Sequence, residues 1–206
     1  MNKQQEKIET QINNNIQKVV KHGQYIMGTE VFELEKKLAE YVGVKYALGC
    51  SSGTDALLLS LMAYNVQPGD IIFTTSFSFI ATSEVISLLG AIPVFIDINP
   101  DTFNIEPSKL LEGIVKNYDT SKIKGIIAVD LFGLPANYVL INSIAKKFNM
   151  FVIEDAAQSF GATHFGKRAG SLGDINCTSF FPSKPLGCYG DGGMCFTDDD
   201  DLYEKL

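Results

Sequence analysis

One lysine, Lys184, lies in the unusual stretch SFFPSKPLGCYGDGG, which runs from Ser179 to Gly193. Pro182 and Pro185 restrict the backbone on both sides of it, because proline fixes its own φ and limits the residue before it. The glycines that follow predict unusual turn angles: Gly190, Gly192 and Gly193. This setting favours an amine presented to a ligand, where it could form an imine with a carbonyl carbon. A solvated loop lysine is the alternative.

The stretch SSGTDAL, residues 51–57, has the residue types of an anion-binding helix start. Ser52 can cap the helix, and Gly53 lets the backbone turn tightly or approach a ligand closely. Free amides and the helix dipole would then face an anion, and Thr54 adds a hydroxyl group. No G-K-[ST] sequence follows, so this is not a Walker loop. A plain helix cap is the structural alternative.

Polar residues also follow two other predicted strands. Asp155 comes at the end of the apolar run MFVIE and could pair with a cationic ring nitrogen, although it could equally cap a helix. Gln158, three residues further on, could donate a hydrogen bond to the same ligand. Ser179 lies near a strand, five residues before Lys184.

Together these residues predict one ligand with three chemical groups. It would have a phosphate for Gly53, Thr54 and Ser179, a basic ring nitrogen for Asp155, and an aldehyde for Lys184. Pyridoxal 5′-phosphate has all three, and its enzymes use a lysine Schiff base and an acidic partner for the pyridinium nitrogen.

Helical and apolar patterns along the chain predict the elements that position these residues. Helices are predicted at the N-terminus, where apolar residues recur from Ile8 to Val20, and at TEVFELEKKLAEYVGV, SSGTDALLLSLMAYNV, Ala81–Leu89, Pro107–Val115 and NYVLINSIAKKF. Strands are predicted at KYALGC, GDIIFTT, IPVFIDI, KGIIAVDL, MFVIEDA, CTSFF and GMCFT. The acidic residues 198–201 predict the start of another helix.

Continuous apolar strands that alternate with helices indicate an α/β fold with a mostly parallel sheet covered on both faces. In such sheets ligands bind at the carboxyl ends of the strands. The predicted site residues lie in the loops that follow those ends, so we expect the fold to bring them together.

Composition excludes several classes of protein. The chain has 206 residues, is 46% hydrophobic and 20% charged, and carries a formal charge of −7 with Arg168 as its only arginine. This disfavours nucleic-acid binding, which requires a basic face. No apolar run is long enough to predict a membrane span, and the polar N-terminus lacks a signal-peptide core, so we expect a cytoplasmic protein. The spacing of the four cysteines and two histidines predicts free thiols rather than a metal site.

Five ordered blocks resemble the DegT family of pyridoxal-phosphate-dependent sugar aminotransferases, which has the aspartate-aminotransferase (type I) fold. The resemblance runs from about Gly23 to the last residue. The blocks are SSGTDAL, GDIIFTTSFSFIATSEVI, GAIPVFIDINPDTFNI, VIEDAAQSFGA and SFFPSKPLGCYGDGG. The resemblance implies a large domain with a seven-stranded, mostly parallel sheet in an α/β/α sandwich.

The resemblance also implies a role for each matching residue. Lys184 resembles the lysine that binds the cofactor as a Schiff base and later moves a proton, and Asp155 resembles the partner of the pyridine nitrogen. Gln158 resembles the residue near the ring hydroxyl, and Phe79, in SFSFIAT, resembles the aromatic that stacks on the ring. The residues that resemble the phosphate ligands are Gly53, Thr54 and Ser179.

The substrates implied are L-glutamate, as amino donor, and a UDP- or dTDP-linked keto-sugar. SFFPSKPLGCYGDGG and GQYIMGTEV most resemble enzymes that aminate UDP-2-acetamido-2-deoxy-3-oxo-glucuronate at C3 for surface-polysaccharide synthesis. The alternatives are an aminotransferase for another 3-keto or 4-keto-6-deoxysugar nucleotide, or a truncated relative without catalysis. A dehydratase branch with histidine in place of the lysine is disfavoured by Lys184.

The resemblance further implies an organisation into two parts and a homodimer with active sites at the interface. Residues 1–30 would form an N-terminal helix and arm, and residues 31–206 the cofactor-binding large domain. Family members continue beyond this length, so we expect a truncated chain that lacks the small C-terminal domain. One residue departs from the family pattern: Asp130 stands in VDLFG, where many relatives have histidine.

Overall fold

The computed structural model describes residues 2–116 and 120–206. The helices are α1 (Asn2–His22), α2 (Thr29–Val42), α3 (Gly53–Ala63), α4 (Ala81–Leu88), α5 (Pro107–Lys116), α6 (Tyr138–Phe148) and α7 (Asp200–Lys205). The strands are β1 (Tyr46–Cys50), β2 (Ile71–Thr75), β3 (Ile92–Ile96), β4 (Ile123–Val129), β5 (Phe151–Asp155), β6 (Thr163–His164), β7 (Lys167–Arg168), β8 (Ile175–Ser179) and β9 (Gly193–Thr197). Single turns of 3-10 helix lie at Thr120–Lys122 and Leu131–Gly133.

Within the described ranges, seven strands form one sheet in the order β1-β9-β8-β5-β4-β2-β3. The strands from β8 to β3 are all parallel, whereas β9 runs antiparallel to both of its neighbours. Val129 at the end of β4 lies opposite Asp155 at the end of β5, which in turn lies opposite Cys177 in β8. The predicted mostly parallel, seven-stranded sheet is therefore confirmed, and its parallel strands carry their loops to one edge.

Helices cover both faces of the sheet. Successive residues of a strand point to opposite sides, and both sides of these strands are apolar. On one face, Ile72, Ile127 and Ile153 pack in a cluster with buried residues of α3 and α4. The neighbouring residues Phe73 and Ile126 pack on the other face, in a cluster with residues of α5 and α6. A third cluster joins α2 to β1 and β9. The predicted α/β/α sandwich is thus confirmed.

The helix termini follow the local signals of the sequence. Gly43 ends α2 in the left-handed region, with φ 88°, and its N–H donates to the carbonyl of Ala39. Asp199 caps α7 by accepting a hydrogen bond from the N–H of Leu202 at 2.9 Å. This cap confirms that the acidic run begins a helix.

Several predicted strands extend one or two residues beyond the observed ones, and two further differences concern β8 and a hairpin. The predicted strand CTSFF (177–181) is wrong at both ends, since β8 spans Ile175–Ser179 and the N–H of Phe181 turns back to the Ser179 hydroxyl at 3.2 Å. The hairpin formed by β6 and β7 was not predicted. Its turn has positive φ at Phe165 (47°) and Gly166 (82°), as a two-residue hairpin turn requires.

In residues 2–116 and 120–206, no helix is both long and apolar enough to cross a membrane. The same residues contain no group of three or more His, Cys, Asp or Glu side chains suited to hold a metal ion. The cysteines are free thiols, and two of them, Cys177 and Cys195, are buried opposite each other on β8 and β9.

Candidate active site

A cavity of about 490 Å³ lies at the carboxyl edge of the parallel strands. Its walls come from the loop before α3, the loop before α4, the ends of β4, β5 and β8, and the loop before β9. All the site residues predicted from the sequence line it: Gly53, Thr54, Phe79, Asp155, Gln158, Ser179 and Lys184. The fold thus brings together residues that lie up to 131 positions apart in the chain (184 − 53).

One end of the cavity has the groups of an anion site. Ser52 caps α3 by accepting a hydrogen bond from the N–H of Asp55 at 3.0 Å, so Gly53 and Thr54 occupy the first turn of the helix. The free amides of that turn and the positive end of the helix dipole favour a bound anion. The Ser179 hydroxyl, on the buried end of β8, faces the same helix start.

Gly53 is needed for a close approach rather than for an unusual backbone angle. A Cβ atom at this position would lie 2.6 Å from the Cβ of Ser179 and 3.1 Å from its hydroxyl oxygen. Gly193, on β9, has the same function, since a Cβ there would lie 2.3 Å from the carbonyl oxygen of Ser52. Two missing side chains therefore allow the helix start to rest against the ends of β8 and β9.

The glycines after Lys184 differ from the sequence expectation. Among the described residues with positive φ, Gly190 is included, at 159°, whereas Gly192 and Gly193 are not. The expectation of three unusual turn angles is therefore wrong for these two residues. A Cβ at Gly192 would lie 3.2 Å from the ring of Phe180, so packing, and not backbone conformation, requires glycine here.

Asp155 is a buried carboxylate at the carboxyl end of β5 and is 7% exposed. Its Oδ2 accepts a hydrogen bond from the Thr82 hydroxyl at 3.2 Å, and its Oδ1 accepts one from the N–H of Ala157 at 3.1 Å. Burial raises the pKa of Asp155, while these two donors and the positive charge of Lys184 lower it. A cationic ligand in the cavity would favour the ionised carboxylate further.

Gln158 is held by a backbone contact across the cavity wall. Its side-chain oxygen accepts a hydrogen bond at 2.8 Å from the N–H of Phe132, which lies in the loop after β4. Phe132 adopts φ 56°, an uncommon angle for a residue with a side chain. Because the amide oxygen is occupied, the NH₂ group of Gln158 is the part that can donate to a ligand.

Lys184 is half-buried in a turn of its own. Its N–H donates to the carbonyl of Phe181 at 2.8 Å, which closes a turn across Pro182. Gly187 packs against this turn, since a Cβ there would lie 2.5 Å from the carbonyl oxygen of Pro182. Phe79 lies in the loop before α4 and leaves 65% of its surface exposed, so an aromatic face is available at the cavity.

Three lining or supporting residues were not predicted from the sequence. The hydroxyl of Thr82 supports Asp155 from the first turn of α4, and Asp191 adds a carboxylate from the loop before β9. Ser78 lines the cavity, and its hydroxyl oxygen is buried without a hydrogen-bond partner among the described residues. The available signal is a hydroxyl just before a helix or in its first turn, as at Ser78 and Thr82 on either side of Phe79 in SFSFIAT.

Two acidic side chains are buried together behind the cavity, on β5 and just after β4. Glu154 accepts hydrogen bonds from the N–H groups of Gly170 and Leu172, both at 2.9 Å. Burial raises the pKa of Asp130 to about 6 and raises the pKa of Glu154, and the charge of Asp130 raises that of Glu154 further. Burial and the nearby charge of Asp130 therefore both favour the protonated form of Glu154.

Replacing Asp130 with asparagine should change how stability depends on pH. Because the folded-state pKa of Asp130 is raised, the folded protein binds more protons than the unfolded chain between about pH 4 and pH 6. Stability should therefore fall as the pH rises through this window, by up to about 3 kcal/mol from this group. Urea unfolding from pH 4 to pH 7 should show a smaller fall for Asp130→Asn. Equal slopes for Asp130→Asn and the exposed control Asp101→Asn would contradict the expectation.

Residues 6–206 match the model of the DegT/DnrJ/EryC1/StrS aminotransferase family. The chain is 53% identical over 199 residues to UDP-2-acetamido-2-deoxy-3-oxo-D-glucuronate aminotransferase of Pseudomonas aeruginosa. That match covers 97% of this chain and 54% of the relative. The chain thus spans about half the length of the curated relatives it matches.

Solved structures agree with the sequence match. A DegT/DnrJ/EryC1/StrS aminotransferase from Brucella abortus superposes with a TM-score of 0.95 at 47% identity, over 98% of this chain and 54% of that one. NtdA from Bacillus subtilis, with bound cofactor PMP, superposes with a TM-score of 0.86 at 36% identity, over 94% of this chain and 42% of that one. With a family model that matches nearly its whole length, the chain belongs to the DegT/DnrJ/EryC1/StrS aminotransferase family.

Proposed function

We propose that the protein is a pyridoxal-phosphate-dependent aminotransferase that transfers an amino group from L-glutamate to a keto-sugar nucleotide. One observation carries the proposal: an amine, a buried carboxylate and an anion site converge on a single cavity of about 490 Å³. A phosphorylated aldehyde with a basic ring needs these three groups in one place. Membership of the family and the bound cofactor in the Bacillus subtilis structure support the same conclusion.

The residues of the cavity fit pyridoxal phosphate. The helix start at Gly53 and Thr54 lies against Ser179 at one end, with no Cβ to fill the space between them. The buried hydroxyl of Ser78 is without a partner among the described residues, so it is available to a polar ligand atom. Polar groups that are buried without partners cost free energy, and a ligand would remove that cost.

At the anion end, the amides of Gly53 and Thr54 and the hydroxyls of Thr54 and Ser179 would bind the phosphate group. Their role is to anchor and orient, since a fixed phosphate sets where the reactive carbon lies relative to Lys184. Such positioning contributes to the rate by lowering the entropy lost in reaching the transition state.

Substituting Gly53 with alanine should weaken cofactor binding without unfolding the protein. Alanine is the better helix former, so α3 itself should tolerate it. The added Cβ would approach Ser179 to 2.6 Å and displace the anion site, for a loss of about tenfold in affinity, which corresponds to about 1.4 kcal/mol. Titration with pyridoxal phosphate measures this. Gly49→Ala is the matched control, because a Cβ there meets its nearest neighbour at an ordinary 3.5 Å; equal affinities for both variants would contradict the prediction.

Asp155 would hold a proton on the ring nitrogen of the bound cofactor. When bound, the cofactor supplies an aldehyde that takes up the amino group and a ring that accepts electrons. Asp155 keeps its orientation through Thr82 and Ala157, and its burial makes a charge interaction strong because few water molecules screen it.

Lys184 would hold the cofactor through its amine and then act as a base. Freed by the amino donor, the neutral amine would move a proton between the reacting carbon of the substrate and the cofactor. The turn at residues 181–184 supports this role, since it fixes the backbone while leaving the side chain at the cavity. Gln158 would donate its NH₂ group to the ring hydroxyl, and Phe79 would stack on the ring.

The proposed sugar substrate is UDP-2-acetamido-2-deoxy-3-oxo-glucuronate, aminated at C3 in the synthesis of a surface polysaccharide. The support is the 53% identity to the Pseudomonas aeruginosa enzyme that carries this substrate in its name. The chain covers 54% of that enzyme, so the activity is proposed for the complete protein.

We also propose a domain division and an assembly. Residues 1–30 would form an arm and residues 31–206 the cofactor-binding domain of a cytoplasmic homodimer. The support is an apolar face on α1 that is open to solvent, with Ile8 41%, Ile16 50% and Val20 56% exposed. Such a face is a candidate for contact with a second protein surface.

The test uses the complete protein, L-glutamate and a panel of UDP- and dTDP-linked keto-sugars, with products identified by mass spectrometry. The expected product is the 3-amino sugar from the UDP-3-oxo-glucuronate substrate. Amination of only a dTDP-linked or 4-keto sugar would overturn the choice of sugar. A protein that binds no pyridoxal phosphate and aminates none of the sugars would overturn the aminotransferase itself.

A further inference from the structure

Asp130 is a fully buried carboxylate that lies behind the candidate site. It is not one of the residues that line the cavity. It follows β4 directly, and its N–H donates to the backbone carbonyl of Asp155 at 3.1 Å. An unexposed charge is costly unless it is fully hydrogen-bonded. Its partners therefore indicate what the chain gains by burying it.

The Asp130 carboxylate receives three hydrogen bonds, from the loop before α6, from the first residue of α6 and from the turn after β5. Its Oδ1 accepts from the N–H of Ala136 and from the hydroxyl of Tyr138, both at 2.9 Å. Its Oδ2 accepts from the hydroxyl of Ser159 at 2.7 Å. One side chain thus ties the loop at residues 131–136 to the turn at residues 156–159.

Gln158 depends on both of these segments. It lies in the turn next to Ser159, and its side-chain oxygen accepts a hydrogen bond from the N–H of Phe132 in the loop. If either segment moved relative to the other, the 2.8 Å bond from Phe132 would break and the Gln158 amide could rotate. Asn104 braces the loop further, since its Oδ1 accepts from the N–H of Leu131 at 3.0 Å.

We propose that Asp130 is a positioning residue, whose carboxylate fixes the 156–159 turn against the 131–136 loop so that Gln158 presents its NH₂ group to the cofactor. The inference rests on the proposed function, because it concerns the same site. Glu154 is also buried, within reach of the Asp130 charge, and is itself held by the N–H groups of Gly170 and Leu172.

The test is a double-mutant cycle on the affinity of the complete protein for pyridoxal phosphate, measured by the visible absorbance of the bound cofactor. Asp130→Ala and Gln158→Ala should each weaken binding by about tenfold, the size expected for one hydrogen bond to a charged group. The double variant should be no weaker than Gln158→Ala, within about twofold, because coupled residues do not add. Asp130→Asn keeps an acceptor for Ala136 and Tyr138, and its NH₂ group can donate to the Ser159 hydroxyl, so its binding should lie within about threefold of the unmodified protein.

Additive losses in the double variant would overturn the inference, because Asp130 would then act without Gln158. Ser159→Ala keeps the cycle testable if Asp130→Ala does not fold, since it removes only the Oδ2 donor and should show the same lack of additivity. Hydrogen exchange of the Phe132 amide in the cofactor-free protein gives an independent readout. Asp130→Ala and Ser159→Ala should each speed this exchange by about tenfold. An unchanged exchange rate counts against the inference. If the unmodified protein bound no cofactor, the proposed function would fail, whereas binding with additive losses would overturn only the positioning role.

Discussion

Replacing Lys184 with alanine should abolish covalent attachment of pyridoxal phosphate and lower the rate of amino transfer by at least about 1,000-fold. General acid–base catalysis alone contributes about 10²–10⁴-fold, and this variant loses the amine that both holds the cofactor and moves the proton. Lys184→Arg should fail as well, because a guanidinium group keeps the positive charge but stays protonated. The amine, and not the charge, is the group that the proposal needs.

Two measurements separate attachment from catalysis in this variant. Borohydride reduction of the loaded protein, followed by peptide mass spectrometry, should place one pyridoxyl group on the peptide that contains Lys184. The variant should show no modified peptide, yet should still bind the cofactor without a covalent bond, because the anion site and Asp155 are intact. Lys167→Ala, at the exposed first residue of β7, is the control and should be modified like the unmodified protein. A pyridoxyl group found on a different lysine would sink the assignment.

Much of the site could be predicted because of how a parallel sheet is built. Gly53, Asp155 and Ser179 are far apart in the chain, but each follows or ends an apolar strand. Parallel strands carry their carboxyl ends to one edge, so polar residues at several strand ends must meet there. Continuous apolar strands predict a parallel sheet that is covered on both sides. This pattern is clear in the sequence because both faces of the sheet are buried.

The features that escaped prediction depend on contacts between distant segments. The β6–β7 hairpin has strands of two residues each, too short for any alternating pattern. Gly193 was expected to supply a turn angle, whereas it makes room for Ser52, which lies 141 positions earlier (193 − 52). Asp130 follows an apolar strand in the sequence, but its partners Ser159 and Tyr138 are known only once the chain is folded.

Neutralising Asp155 should reduce amino transfer far more than it reduces cofactor binding. Asp155→Asn keeps the size of the side chain and an acceptor for the N–H of Ala157, and its NH₂ group can donate to the Thr82 hydroxyl, so the cavity should keep its shape. It removes the negative charge that would keep a proton on the ring nitrogen. The expected loss in rate is about 100-fold or more, comparable to removing one electrostatic stabiliser of a transition state.

The affinity for the cofactor should fall by less than about tenfold in the same variant, because the phosphate end of the site is untouched and carries most of the charge-assisted hydrogen bonds. Single-turnover rates and titration with pyridoxal phosphate measure the two effects separately. Asp97→Asn is a suitable control, since Asp97 also follows a parallel strand, β3, but is exposed. A rate in Asp155→Asn within about threefold of the control would mean that the ring proton needs no buried carboxylate.

Burial raises the pKa of Asp155 in the cofactor-free protein. The cationic ring of the bound cofactor should lower that pKa again. A carboxyl group that stays protonated in the loaded protein would contradict the role proposed for it.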